Sequence, residues 1–354
     1  MRERNENTLL DVRDLTFSFT SYAGEIQAVR GVNYSLERGR NLGIVGESGC
    51  GKSVSAKALI GLNPPPPKGI LKKGEIWFDG RDLTKLTEKE MQKVRASEIR
   101  MIFQDPMTSL NPTTTIGKQI MEGVLMSGVK DKAQARKIAL EALAMAGIPS
   151  PEARFKQYPH EFSGGMRQRA MIALAMAVNP KLLIADEPTT ALDVTIQAQV
   201  LDLIKDIQKQ YNTSVIMITH DLGVVANIAH DIAVMYGGKV IEYGSVEDIF
   251  YRPAHPYTWG ILQSIPPEDT SDREPLKPIP GTPPDLFSPP VGCPFAARCP
   301  YAMRACTTLY PPNFSQDDHN HHYASCWLYH KKSQPVVNPI TGKQVCAQEV
   351  IKDE

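Results

Sequence analysis

The sequence predicts an α/β fold on a parallel sheet, interrupted by a block of helices and followed by an irregular extension. Three observations predict it. Short apolar strands alternate with segments of helical period. A glycine-rich turn, GESGCGKS at 46–53, lies between one such strand and one such helix. Proline concentrates late: 13 of the 28 prolines fall between Pro266 and Pro312, which marks extended chain and not a second helix-and-sheet domain.

Residues 8–19 and 26–37 alternate like strands, with Gly24 between them, and Asn41 to Val45 is a short apolar strand. A helix follows from Lys52 to about Leu62 and is stopped by Pro64 to Pro67, which lack amide hydrogens. Residues 87–98, 116–146 and 163–178 read as helices, and those between about 105 and 180 as an inserted helical subdomain. Strands at 181–186 and 213–219 alternate with helices at 194–210 and 222–230, and Val234 to Tyr243 reads as a hairpin turning at Gly237-Gly238.

Basic and acidic residues balance at 39 each, which removes any whole-molecule bias toward nucleic acid or anionic lipid. No apolar run approaches the ~18–20 residues needed to span a bilayer. The N-terminal MRERNENTLLDV lacks the apolar centre of a signal peptide. The expectation is a soluble chain made in the cytosol and held at any membrane by other subunits.

The turn at 46–53 fits G-x-x-x-x-G-K-[ST] in full. Its residues Gly46, Glu47, Ser48, Gly49, Cys50, Gly51, Lys52 and Ser53, with Val54 next, are expected to wrap phosphate oxygens with backbone amides at a helix N-terminus. Lys52 reaches the β- and γ-phosphates, and the Ser53 hydroxyl binds Mg²⁺. In KLLIADEP, apolar residues 182–185 bury a strand and leave Asp186 at its carboxyl end to hold Mg²⁺. Glu187 follows and can deprotonate an attacking water.

On these motifs the chain resembles the nucleotide-binding subunits of ABC transporters over about residues 8–265. The resemblance implies the P-loop NTPase fold of an ABC nucleotide-binding domain. FSGGMRQR at 162–169 is similar to the family's signature motif, with Phe162 and Met166 departing from it. By resemblance, Ser163, Gly164 and Gly165 contact the γ-phosphate held by an opposite subunit. Gln104 is the glutamine that senses Mg²⁺ and the attacking water. Asp193 crosses the dimer interface, and His220, 33 residues beyond Glu187, is the switch histidine beside the γ-phosphate. Phe19 is expected to stack on adenine, with Tyr22 as the alternative.

The segment from 251 to 306, including YRPAHPYTWGILQSIP and GCPFAARCPYAMRAC, resembles the tail of the oligopeptide and dipeptide importer branch, in its D-type subunit. That implies an ATP-hydrolysing subunit at 8–265, a Pro/Cys-rich extension at 266–330 and a tail at 331–354. The implied partners are a sister ATPase, two transmembrane permease subunits and an extracytoplasmic peptide-binding protein. The implied location is the cytoplasmic side of the cell membrane.

Cys293-x₅-Cys299-x₆-Cys306-x₁₉-Cys326 offers four thiolates. They suit a [4Fe–4S] cluster or a tetrahedral zinc, or are buried free thiols; the resemblance implies the cluster. Cys346 reads as a bystander, and DDHNHH at 317–322 as a solvated polar loop. A nickel or glycoside importer would carry the same machinery. An ABC ATPase acting on DNA or the ribosome would carry two cassettes, coiled-coil arms or zinc insertions, none of which is present, so no nucleic-acid partner is expected. A non-hydrolysing regulatory subunit is disfavoured by Lys52, Asp186, Glu187 and His220.

Overall fold

The computed structural model describes residues 7–190, 193–265 and 278–351. Strands β1 (Thr8–Ser21) and β2 (Gly24–Glu37) form a long antiparallel hairpin. Strand β3 (Asn41–Val45) is buried at all five positions and leads through the glycine-rich turn into α1 (Lys52–Leu59). Helix α1 is shorter than predicted, because Gly61 turns the chain at φ +63° before the prolines are reached. Strand β4 (Gly69–Phe78) pairs with β1, and β5 (Arg81–Asp82) with β4, giving a separate four-stranded sheet in the order β2-β1-β4-β5. Strand β4 escaped the sequence reading because Lys72, Lys73 and Gly74 break its alternation, and its partner Leu10 lies far upstream of Phe78.

Helix α2 (Glu88–Ser97) opens with a reciprocal Thr87–Glu90 cap. Strand β6 (Ile99–Ile102) follows at once, with no breaker residue to announce it. Then come α3 (Pro106–Ser109), α4 (Ile116–Met126), α5 (Lys132–Met145), α6 (Pro151–Arg154) and α7 (Gly164–Met176). The single stretch expected at 116–146 is two helices. Gly128 turns at φ +115°, and the Asp131 carboxylate accepts the Ala133 and Gln134 amides to start α5 afresh.

Strand β7 (Leu182–Asp186), α8 (Val194–Tyr211), β8 (Ser214–Thr219), α9 (Leu222–Ile228), β9 (Asp231–Tyr236) and β10 (Lys239–Ser245) complete the alternation. The chain continues through α10 (Val246–Tyr251), α11 (Pro256–Gln263), α12 (Arg304–Thr308), β11 (Phe314–Ser315) and β12 (Tyr323–Ala324). The larger sheet runs β11-β12-β10-β9-β3-β8-β7-β6. Strands β9, β3, β8, β7 and β6 are parallel, as predicted, but β10, β12 and β11 continue it antiparallel. A two-glycine connection between β9 and β10 permits only antiparallel pairing.

One apolar core fills the space between the two sheets, around Leu10, Leu36, Leu42, Ile44, Phe78 and Ile184. A second joins the opposite face of the larger sheet to the helices of 116–228, through Ile120, Leu143, Ile172, Leu183, Met217 and Ile204.

The extension differs from its sequence reading. It is poor in regular structure, yet it is not an extended strand of chain. Strand β12 joins the main sheet on β10, and Phe314, Leu328 and Tyr329 bury against Trp259 of α11. Aromatic residues scattered among the prolines supply apolar area that composition alone conceals. The expected boundary at 266 lies outside the described residues.

In the DDHNHH segment residues 318–321 are exposed, as expected of a polar loop, but its end is tied to the cassette. His322 is 2% exposed and its Nε2 lies 3.1 Å from Glu242 Oε1, while His321 Nε2 lies 2.9 Å from Asp231 Oδ1. The Asp317 carboxylate accepts the amides of residues 319, 321 and 322 and so curls the segment inward.

His255 starts α11, its Nδ1 accepting the Tyr257 amide at 3.1 Å. Burial pushes its pKa from 6.5 down to about 4, against the pull of Glu242. The folded state therefore favours neutral His255, and its contribution is lost as pH falls through the window from 6.5 to 4. The expected loss is about 3 kcal/mol. Urea unfolding across that range should show it, and His255→Asn, which caps without titrating, should flatten that part of the acid limb. An unchanged pH profile in the variant would mean that other groups set the acid limb.

Candidate functional site

The register of the parallel strands brings their carboxyl ends level. Val45 of β3 lies opposite Thr219 of β8 and Val234 of β9, Ile218 opposite Asp186, and Ala185 opposite Ile102. The turn at 46–53, Glu187, His220 and Gln104 therefore leave the sheet along one edge, the edge where open α/β sheets hold ligands.

The glycine-rich turn needs its glycines. Gly46 (φ +154°) and Gly51 (φ +101°) have backbone conformations closed to side chains, and a Cβ would collide with the Met235 carbonyl at Gly46 and the Ala28 carbonyl at Gly51. Lys52 is buried, its Nζ donating to the carbonyls of Gly46 at 2.7 Å and Glu47 at 3.0 Å. Ser53 Oγ donates to Asp186 Oδ1 at 2.7 Å, so the two candidate Mg²⁺ residues meet between the start of α1 and the end of β7. Burial pushes the Asp186 pKa up, and neighbouring Glu187 adds to it. A buried carboxylate of this kind is stabilised by a cation. Cys50 is buried under the loop, and burial pushes its thiol pKa up.

Glu187 sits at φ +47°, a left-handed conformation rare for glutamate, directly beyond β7. Gln104 Nε2 donates to its Oε2 at 3.0 Å, Thr190 Oγ1 donates to the same oxygen at 3.0 Å, and His220 Nδ1 stands 3.5 Å from Oε1. The structure thus gathers Glu187, Gln104 and His220, named from separate motifs, around one carboxylate. Thr190 was not foreseen, since a threonine two residues after a proline carries no signal of its own.

Ser163 caps α7, its Oγ accepting the Met166 amide at 3.3 Å. Gly164 is open on its Cβ side, and Gly165 faces Ile196 in the first turn of α8. Asp193 caps that helix, its Oδ1 accepting the Ile196 amide at 2.9 Å. Residues 191 and 192 before it lie outside the described residues. Among the described residues, no hydrogen bond ties 163–165 or Asp193 to the turn at 46–53. The departures at Phe162 and Met166 have a packing reason, as Phe162 is buried in the helical core and the half-buried Met166 packs against it.

A family model described as "ABC transporter" matches residues 29–190, and one described as "Oligopeptide/dipeptide transporter, C-terminal region" matches 241–306. The oligopeptide transport ATP-binding protein OppD of Bacillus subtilis (strain 168) is 58% identical, covering 94% of this chain and 92% of that one. The dipeptide transport ATP-binding protein DppD of the same organism is 54% identical, covering 93% and 97%. The chain belongs to the ATP-binding subunits of the oligopeptide and dipeptide ABC transporters. Among solved structures it is similar to the dimeric cassette MJ0796 in a post-hydrolysis state bound to ADP and Pi, with TM-score 0.60, 28% identity, and coverage of 67% of this chain and 99% of that one.

As an ABC ATPase the chain uses ATP and Mg²⁺. Of its two adenine candidates, Phe19 is half-buried on β1 with its ring edge-to-face against Phe17, 5.2 Å between centroids, whereas Tyr22 stands fully exposed in the β1–β2 turn.

Two residues that hold the phosphate loop of this ABC ATPase lie in the C-terminal segments that carry the importer resemblance, where no role was expected of them. Tyr257 OH accepts the Glu47 amide at 2.9 Å, and Arg298 Nη1 donates to both Glu47 carboxylate oxygens at 3.0 and 2.8 Å. Neither carries a local signal, because both reach the loop only through tertiary packing.

The four cysteines Cys293, Cys299, Cys306 and Cys326 line one small cavity with His255, Phe295, Trp327 and Leu328. Burial pushes Cys293 up to about 12 and Cys299 up to about 11, and Cys326 well above its ordinary value. Among the described residues no group of three or more His, Cys, Asp or Glu side chains is arranged to hold a metal ion. The expected [4Fe–4S] cluster is therefore unsupported: the thiols converge, but in an apolar pocket that favours their protonated form. Cys346 is exposed and apart, as expected. Among the described residues no helix is long and apolar enough to cross a membrane.

Proposed function

We propose that this ABC ATPase energises the import of oligopeptides or dipeptides. The observation that carries the mechanism is the gathering of Gln104, Thr190 and His220 on Glu187, beside the Ser53–Asp186 pair. The peptide cargo rests on the C-terminal match at 241–306 and on the names of the relatives.

ATP phosphates lie in the 46–53 loop with Lys52 on the β- and γ-phosphates. Ser53, Asp186 and Gln104 would hold Mg²⁺, which would offset the phosphate charge. Glu187 takes a proton from the attacking water, and His220 steadies the γ-phosphate. Tyr22 has both ring faces free to stack on adenine, which favours it over Phe19. Ser163, Gly164, Gly165 and Asp193 make no hydrogen bond to the chain's own phosphate loop among the described residues. They complete the site of a sister ATPase across a nucleotide sandwich, with the signature amides at the start of α7 facing its γ-phosphate.

The cassette then spans 8–265 with a helical subdomain at about 105–180, the Pro/Cys-rich extension 266–330 and a tail 331–354. Gln104 is joined to the subdomain by Asp105, which caps α3, so closure of the sandwich moves it. Its groove along α4, with exposed Met126 and partly exposed Met121 and Leu125, is the face for a permease subunit. The assembly comprises the heterodimer of ATPases, two permease subunits and an extracytoplasmic peptide-binding protein, with this chain peripheral on the cytoplasmic side.

Uptake of a labelled short peptide and of nickel, in cells lacking the gene and in cells with it restored, tests the cargo. Loss of peptide uptake alone supports the reading. Loss of nickel uptake alone overturns it.

The four-cysteine cavity is proposed as a metal site on the family resemblance alone, since its four thiols line one cavity without being arranged to hold an ion. A metal would have to displace their protons. Iron and acid-labile sulfide in anaerobically purified protein would support the resemblance. Zinc without sulfide, or no metal at all, removes the cluster.

A further inference from the structure

We propose that Arg298 of the C-terminal extension is a positioning residue for ATP, neutralising Glu47 and holding it away from the incoming phosphates. The proposal rests on the reading that ATP phosphates occupy the 46–53 loop. Glu47 is the one acidic residue in that loop. A carboxylate left loose there would repel a triphosphate, because like charges within a few ångströms oppose binding.

Arg298 is built to prevent this. Its Nη1 donates to Glu47 Oε1 and Oε2 at 3.0 and 2.8 Å and to Tyr236 OH at 3.0 Å. Its Nε donates to the Pro280 carbonyl at 2.8 Å and its Nη2 to the Ile279 carbonyl at 3.2 Å. The guanidinium is 7% exposed while Glu47 is 29% exposed, so the cation comes from the packed side and the anion faces the loop. Glu47 is fixed at its other end as well, its amide donating to Tyr257 OH. The extension lies along the same face elsewhere: the Gln27 amide donates to the Leu286 carbonyl at 2.9 Å, and Arg30 Nη2 to the Pro290 carbonyl at 2.8 Å. Arg298 directly precedes Cys299, so the cysteine cavity adjoins the residue that holds Glu47.

A merely structural Arg298 and a charge-neutralising one predict different results. Fluorescent ATP-analogue binding is measured on the full chain, and KM and kcat for ATP on the assembled transporter. Arg298→Ala is expected to weaken ATP binding and raise KM about tenfold, with a smaller change in kcat. Adding Glu47→Gln to Arg298→Ala is expected to recover threefold or more, since the repelling charge is gone. Wild-type affinity in Arg298→Ala, or no recovery in the double variant, overturns the proposal. If Arg298→Ala melts below the assay temperature, the same comparison is made on Arg298→Lys. It keeps the charge but loses the fork, for an expected loss of about threefold that Glu47→Gln again relieves. Failure of that relief overturns the proposal. Lys52→Ala separates the two readings. Binding lost there and intact in Arg298→Ala sinks the clamp alone; binding unchanged in Lys52→Ala sinks the loop reading and the clamp with it.

Discussion

Glu187→Gln is expected to abolish turnover while leaving ATP bound. The amide has the shape of the carboxylate and can still bond Thr190 Oγ1, which reaches Oε2 at 3.0 Å. It cannot accept a proton from water. Loss of a general base costs about 10²- to 10⁴-fold in rate. ATP binding relies instead on Lys52, Ser53 and the loop amides, which the substitution does not touch. Phosphate release by the assembled transporter should fall by at least a hundredfold, with nucleotide affinity unchanged or tighter. Peptide uptake should fall with it at normal protein levels. A variant that hydrolyses ATP within fivefold of wild type would remove Glu187 from the role of base and leave it as a hydrogen-bonding partner of Gln104.

Glu242→Ala is expected to be the most destabilising single change in the extension's contact with the cassette. Glu242 lies on β10 and is 0% exposed. Its carboxylate accepts the Ala254 amide at 2.6 Å, the His255 amide at 2.9 Å and the Thr258 hydroxyl at 2.5 Å, and stands 3.1 Å from His322 Nε2. Those groups start α11 and anchor the segment before β12. Removing the carboxylate leaves several buried donors without a partner, at a cost of about 3–5 kcal/mol. That is a large share of the roughly 5–15 kcal/mol that holds a domain folded. Glu25→Ala is the control: its pair with Lys72 is exposed on both sides, and its loss should cost less than about 1 kcal/mol. Urea unfolding of both variants decides the matter. A loss below 1 kcal/mol for Glu242→Ala would mean that apolar packing around Trp259 and Phe314 alone fixes the extension.

The two predictions differ in how far the sequence announced them. Glu187 was legible because its signal is local. An apolar strand, two acidic residues and a phosphate loop upstream occur in a fixed order, and the chemistry requires each residue type. The same holds for the glycines at 46 and 51, whose backbone angles exclude side chains, and for the β9–β10 hairpin at its two glycines. Glu242 carried no signal in the sequence, and His322 read as part of a polar loop, because a buried charge is recognised only by the partners that bury it.

The sequence by itself determined the phosphate loop, the parallel strands that carry it, and the acidic pair Asp186 and Glu187 at the end of β7. These depend on local backbone conformation and on runs of apolar residues, which are written in consecutive positions. Tertiary structure decided the rest. It paired β4 with β1, set β12 on β10, buried His322 against Glu242, and brought Arg298 across some 250 residues of chain to Glu47. Each of those contacts joins segments far apart in sequence, and their stabilisation comes from burial and charge pairing that appear only once the chain has closed on itself.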